Sequence, residues 1–369
     1  MGGQRVSPMA RPQPGPPDPS AVAAYRGGLG PDAPISLGVI SNPFSRTNAR
    51  SRLHDRLVPR VLPDRQNAID TRTVRDLDNA LETLLLNRGV NVLGLNGGDG
   101  TLHLGVNRLL KLARRIEAST GEVFPLPKLL FLNGGTLNIV SRATGTKGNP
   151  ARTLREFVNG TRGGCLRDLH SRTLGLLEVE QGSSVPTEPP KTRYGFIFGT
   201  EVVANALEMY TLFGEGYPGL LRFLAEVSLG YTLNTRLWQE HGWKLDAPRT
   251  SITVDQVTYP RYLGAVCATI DLSILKGALT AIHVPEGAAG FYAKLMLETD
   301  PGKAIRTIPQ LMIGAAPRTV RDIEQADELT MVGGYTLDGE VFLDRSPRGQ
   351  RRPVTVKRGQ ITIEAVSVR

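Results

Sequence analysis

From Leu37 onward the chain alternates short apolar runs with longer amphipathic stretches, a pattern that predicts βα units around a parallel sheet. Strands are expected at Leu37 to Ile40, Val90 to Leu95 and Leu129 to Leu132, with helices at Leu77 to Leu86 and Leu102 to Ile116. Each strand runs into a polar or glycine-bearing turn. Ligands of open α/β sheets gather beyond the carboxyl ends of the strands, so these turns are expected to converge on one crevice. After about Gly164 the alternation weakens, and Leu174 to Val179, Tyr194 to Phe198, Ser251 to Val257 and Val354 to Ile363 read as strands of a β-rich region. Ala204 to Leu233, rich in Leu, Phe and Tyr, reads as helical, and Gly182 to Pro190 as a loop. Residues 1–34, dense in Pro, Gly and Ala, offer little apolar surface to offset ordering entropy and read as a disordered arm. The expected layout is thus an arm at 1–34, an α/β domain at 35–164 and a β-rich domain at 165–369.

Charge narrows the partners. The chain carries 44 basic against 35 acidic residues among 369, a net charge of +9 that favours anionic partners. Residues 46–75 hold eight Arg against three Asp, and residues 345–369 hold seven basic groups against Glu364. These are candidate anion-facing surfaces or ordinary solvated faces. The two cysteines, Cys165 and Cys267, form no metal-ligand pattern with histidine and fit a reducing, cytoplasmic setting. No stretch approaches the roughly 20 apolar residues of a spanning helix, and the N-terminus lacks the pattern of a signal peptide or lipid anchor.

Candidate chemistry sits at the turns. Asn96-Gly97-Gly98-Asp99-Gly100-Thr101 lies between an apolar strand and a helix, where consecutive backbone amides and a helix N-terminus can cradle phosphate oxygens. Glycine lets the backbone approach the anion. Asp99 suits such a cradle only if it handles a metal, a proton or a nucleotide hydroxyl. The next strand ends in Asn133-Gly134-Gly135-Thr136-Leu137-Asn138, which reads as a helix cap or a nucleotide contact, and the first ends in Ser41-Asn42-Pro43.

The series Asn42-Pro43, Gly97 to Thr101, Gly135-Thr136 with Asn138, and Asp338-Gly339-Glu340 resembles the catalytic domain of diacylglycerol, sphingosine and ceramide kinases. The resemblance runs from about residue 36 to the C-terminus and is thin between about 205 and 325. It implies an N-terminal Rossmann-like domain, related to NAD kinases, that binds ATP, then a β-sandwich domain, with the lipid in the cleft between them. It assigns Gly97, Gly98, Gly100 and Thr101, with Asn96, to the ATP phosphates, and Asn42, Gly135, Thr136 and Asn138 to the nucleotide site. Thr71 or Thr73, after the second strand, is expected near the adenine. Asp99, Asp338 and Glu340 are the catalytic candidates, with Glu340 accepting the lipid hydroxyl proton and Asp99 its competitor for that role. ATP and Mg²⁺ are the implied cofactors. The chain departs from the family at Asn133, where relatives usually carry Pro, and between Asp271 and Gly290, where the glycine-rich segment of a structural metal site has no clear match. No structural Mg²⁺ site is therefore expected.

The expected activity is phosphorylation of a lipid hydroxyl, the lipid being diacylglycerol, ceramide, a sphingoid base or another lipid alcohol. The rival readings are NAD phosphorylation and a non-catalytic relative that binds nucleotide or membrane. A P-loop is excluded, because Gly302-Lys303 is followed by Ala304 and no lysine precedes Lys111. The expected partners are the lipid and a membrane surface, touched peripherally through the basic segments and the apolar helix around Leu220 to Leu233. A second copy of the chain is left open, and nucleic acid is not expected.

Overall fold

The computed structural model describes residues 18–51, 58–135, 138–146, 148–183, 189–214, 216–274, 279–315, 317–344 and 351–367. Strands β1 (Leu37–Ser41), β2 (Ala68–Asp70), β3 (Val92–Gly97) and β4 (Lys128–Asn133) form a parallel sheet in the order β2-β1-β3-β4. β1 and β3 are buried along their whole length because helices cover both faces, which is why they read as unbroken apolar runs. One face is covered by α1 (Pro19–Gly27), α4 (Val74–Glu82) and α5 (Asp99–Thr120); the other carries α3 (Val58–Val61) and α7 (Pro150–Gly160), while α2 (Arg46–Ser51) and α6 (Ile139–Ala143) follow the β1 and β4 turns.

Most expected elements appear within a few residues of their predicted limits, and the exceptions have local causes. The stretch expected to be a disordered arm contains α1: Asp18 caps it, Pro19 starts it, and Val22 and Tyr25 enter the core, Tyr25 stacking on Phe124 at 5.0 Å. Residues 1–17 lie outside the described set. The predicted helix to Leu86 ends as α4 at Glu82 and continues as a wider π-type turn over Thr83–Asn87.

The second half is a β-sandwich. One layer continues the first sheet through β18 (Pro353–Val366), which pairs along one edge with β5 (Ser171–Gln181) and along the other with both β15 (Glu328–Val332) and β4. Beyond them lie β6 (Lys191–Gly195) on one side, and β8 (Ile252–Val254) with β9 (Val257–Tyr259) on the other. The single strand expected at Ser251 to Val257 is this hairpin, turned by Asp255 and Gln256, both at positive φ. The facing layer is antiparallel, in the order β14 (Val320–Ala326), β13 (Phe291–Met296), β10 (Gly264–Ala268), β7 (Ile197–Thr200), β16 (Tyr335–Leu337), β17 (Glu340–Phe342). Leu177, Val179, Val354 and Val356 meet Phe198, Cys267, Phe291 and Tyr335 between the layers. A short hairpin, β11 (Leu272–Ile274) with β12 (Leu279–Ile282), stands apart. The predicted helical stretch divides at Gly214 into α8 (Glu201–Tyr210) and α9 (Gly216–Leu233), followed by α10 (Arg236–His241). With α11 (Pro301–Met312), α9 covers an apolar edge of the sandwich.

Candidate active site

The carboxyl ends of β1, β3 and β4 do meet, and glycine is what lets them. A Cβ on Gly135 would overlap the Gly98 Cα, one on Gly97 would run into the Thr101 side chain, and one on Gly134 would come within 2.7 Å of Asn96 Oδ1. The two glycine turns therefore lie back to back with no space for side chains. Gly98 caps α5 without a side chain, so the first turn of that helix keeps its amides for a ligand.

The surrounding polar residues brace this arrangement. Asn42 Nδ2 donates to Thr101 Oγ1 at 2.9 Å, and Asn96 Nδ2 donates to Ser41 Oγ at 3.1 Å. Asn138, at φ 52°, accepts from the Gly135 amide at 2.9 Å and returns Nδ2 to the Gly135 carbonyl, so its amide shapes the turn. Thr136 lies outside the described residues. Asn133 Nδ2 reaches the carbonyls of Thr146 and Gly148, both at 3.1 Å, which a proline there could not do. Thr73 is the N-cap of α4 in a capping box with Asp76 and lies exposed on the cleft lip, whereas Thr71 is buried below it. Sequence reasoning missed Thr47, whose amide and hydroxyl donate to the carbonyls of Gly134 and Gly135 at 3.0 and 2.9 Å. A single hydroxyl in a basic stretch carries no readable signal.

Asp99 opens α5 on the cleft floor, and its Oδ1 accepts from the Val140 amide at 3.1 Å. Burial is the main influence on its carboxyl and pushes the pKa up to about 6, against the hydrogen bonds from Val140 and Ile139 that favour the charged form; the nearby Asp338 adds to the rise. The charge of Arg142 also acts against the rise.

The opposite wall is the β16–β17 hairpin. Asp338 and Gly339, at φ 52° and 90°, make the two-residue turn that pairs Leu337 with Glu340. Asp338 Oδ1 accepts from the Phe196 and Ile197 amides at 2.8 and 2.9 Å, and Oδ2 lies 3.0 Å from His103 Nδ1 on α5. Its side chain is wholly buried. Asp338 borders the cleft, and these contacts make it a brace for the hairpin. Stacking of Tyr335 on Phe198 and of Phe342 on Tyr335 holds the same hairpin.

The hairpin delivers Glu340 to the start of α5. Its carboxylate lies directly over Gly100, where any Cβ would overlap Oε1, and remains exposed to the cleft. The positive end of the helix dipole favours a carboxylate there. Asp99 and Glu340 thus line one cleft of about 1000 Å³. Past Val203, Val266 and Leu272 the cleft adjoins a second cavity of about 280 Å³, whose walls include Phe223, Val227, Leu245 and Ile305. Among the described residues Lys294 is the one charged residue lining it, and it is paired with Asp322 at 2.6 Å.

Comparison with known families and structures fits this geometry. Residues 36–164, which contain Asp99 and both glycine turns, match the family model of the diacylglycerol kinase catalytic domain. Two solved structures from Bacillus anthracis str. Sterne, each described as a "putative diacylglycerol kinase", align over nearly the whole chain. The first has a TM-score of 0.57 at 16% identity, covering 89% of this chain and 95% of the other. The second has a TM-score of 0.58 at 14% identity, covering 90% and 97%. A comparison with curated protein sequences returns no match. At these identities the alignments establish the fold: a parallel-sheet domain followed by an antiparallel β-rich domain. The matched segment is similar to a kinase catalytic domain.

Proposed function

We propose that the protein is an ATP-dependent lipid kinase that transfers the γ-phosphoryl group to the hydroxyl of a lipid alcohol. The observation that carries the lipid reading is the apolar cavity adjoining the cleft that holds Asp99 and Glu340. An acceptor that is polar throughout, such as NAD, would leave those aliphatic walls without an occupant.

In this reading the amides at Gly97 to Thr101 hold the ATP phosphates at the N-terminus of α5, and Thr73 and Gly135 border the nucleotide. The acceptor hydroxyl lies between the phosphates and Asp99. Sequence reasoning gave the proton to Glu340, but the half-buried carboxyl of Asp99, raised to about 6, is the better match to a base working near neutral pH. As the acceptor oxygen bonds to the γ-phosphorus, its proton passes to Asp99 and the bond to the β-phosphate oxygen breaks, releasing ADP. Mg²⁺ fits beside Glu340, an exposed carboxylate at the phosphate-binding turn, because this ion commonly takes one or two carboxylates with phosphate oxygens; it would supply charge neutralisation there.

Peripheral membrane contact belongs to the same proposal. Leu221, Leu229 and Leu233 of α9 are exposed beside the apolar cavity, as is Leu212 just before it, and no helix among the described residues is long and apolar enough to cross a membrane. The test is incubation with ATP, Mg²⁺ and diacylglycerol, ceramide, sphingosine or NAD in mixed micelles, with product identification by mass spectrometry. A phosphorylated lipid is the expected product. Phosphorylated NAD with no lipid product would overturn the reading.

A further inference from the structure

Two annexes leave the cleft, and they differ in chemistry. The apolar cavity adjoins it at Val203, Val266 and Leu272. At Gly100, Leu104 and Glu340 the cleft adjoins a separate hollow of about 510 Å³, between α5 and β6, lined by Arg108, Lys111, Arg114 and Arg193. Among the described residues Glu340 is the one carboxylate that lines it.

Arg108 is neutralised by Asp78, but among the described residues no carboxylate forms an ion pair with Lys111, Arg114 or Arg193. The two arginines are held by aromatic rings instead. The Arg114 guanidinium lies over Tyr194 at 4.9 Å and donates to its hydroxyl. That of Arg193 lies over Phe342 at 4.3 Å and donates to Tyr335 Oη at 2.8 Å. Each guanidinium has five N–H donors, so one hydrogen bond to a tyrosine leaves others for a ligand. Stacking also fixes the donor forks in advance, which suits recognition of a phosphate or carboxylate. Lys111 is exposed on α5 and adds a mobile third charge.

A ligand laid along this path meets aliphatic walls first, then Asp99 and Glu340, then cations. We propose that the acceptor lipid carries a phosphate-class anionic group on the far side of its reacting hydroxyl from its acyl chain, and that Lys111, Arg114 and Arg193 receive that group. The inference rests on the lipid-kinase reading and narrows it from lipid alcohols in general to anionic ones, in the order chain, hydroxyl, anion.

The probes are 1-oleoyl-lysophosphatidic acid, which has this order, and 1-oleoylglycerol, which has the same chain and glycerol but no phosphate. With ATP and Mg²⁺ in uncharged detergent micelles, kcat/KM is expected to favour the phosphate-bearing lipid by about tenfold or more, with the new phosphate on its carbon hydroxyl. Lys111→Glu, a change at an exposed position, and Arg114→Gln should each bring the ratio of the two kcat/KM values towards one. Equal use of both probes overturns the proposal, as does a preference that survives both substitutions. So does rescue of 1-oleoylglycerol turnover by added inorganic phosphate, which would show that the anion need not belong to the acceptor. Failure to phosphorylate any lipid, these probes or the neutral ones, would strike the lipid-kinase reading itself.

Discussion

On the α/β wall of the cleft the groups that face a ligand are mostly backbone, at Gly97 to Thr101 and Gly134–Gly135, and the side chains around them are scaffolding. On the β wall the position is reversed: side chains line the cleft, the exposed carboxylate of Glu340 among them, and the backbone under Glu340 is fixed by a buried carboxylate, Asp338. A backbone site must be defended against added atoms, and a side-chain site against loss of support. Asp99 stands between these cases, being a side chain on the backbone wall, and it is the group whose proton affinity the site shifts most clearly.

The sharpest test of that contrast is chemical. Asp99→Asn keeps an acceptor for the Val140 amide but cannot take a proton, so turnover should fall by roughly 100- to 10,000-fold while ATP affinity changes little. Glu340→Gln should cost less and raise the Mg²⁺ concentration needed for half-maximal rate. If Glu340→Gln proves the more damaging and leaves the Mg²⁺ requirement alone, the two roles must be exchanged.

Support is the next test. Asp338→Ala strips acceptors from two amides, one of them in the core, and from His103, and should destabilise the fold by about 3 kcal/mol, measured by denaturant unfolding. Turnover should fall with it as Glu340 loses its seat. Loss of turnover at unchanged stability would instead give Asp338 a direct part in the reaction.

A smaller effect comes from charge burial. The folded-state pKa of Asp99 lies above its ordinary value, so its favourable contribution is present below about pH 4 and lost as pH rises through about 6. Asp99→Asn should therefore raise stability at pH 7.5 by about 1–2 kcal/mol, an advantage that vanishes towards pH 4. In the parent protein, kcat/KM for the proposed reaction should decline as pH drops below about 6. Smallest of all, Leu229→Asp with Leu233→Asp should weaken sedimentation with anionic vesicles several-fold without shifting the unfolding midpoint. Unaltered vesicle binding would remove α9 from the membrane contact.

The same contrast explains what could be read from the sequence. Glycines needed for close approach leave a visible mark, so Gly97, Gly98 and Gly135 were legible, and the buried strands beneath them read as plain apolar runs. Glu340 was reached only through the family resemblance of Asp338-Gly339-Glu340, and the structure shows that Asp338-Gly339 is the turn that carries it. The brace was not: that Asp338 faces Phe196, Ile197 and His103 depends on contacts up to 235 residues apart, which no local pattern encodes. Asn138 was assigned to the nucleotide, and the structure adds that its amide shapes its own turn, a second role that the shared sequence signal of cap and ligand contact did not separate. α1 was missed because a proline-rich context masked a helix held by two core residues, Val22 and Tyr25.

β18 has a consequence for how the chain is made. Its Ala365 pairs with Leu129 of β4, so on a ribosome the edge of the first sheet at β4 is complete only after more than 200 further residues have been synthesised. Until then an apolar parallel edge stays open, the kind of surface to which other nascent chains add. The first domain should therefore mature late, together with the second, and chaperone dependence during synthesis should track the arrival of β18 rather than the completion of residues 36–164.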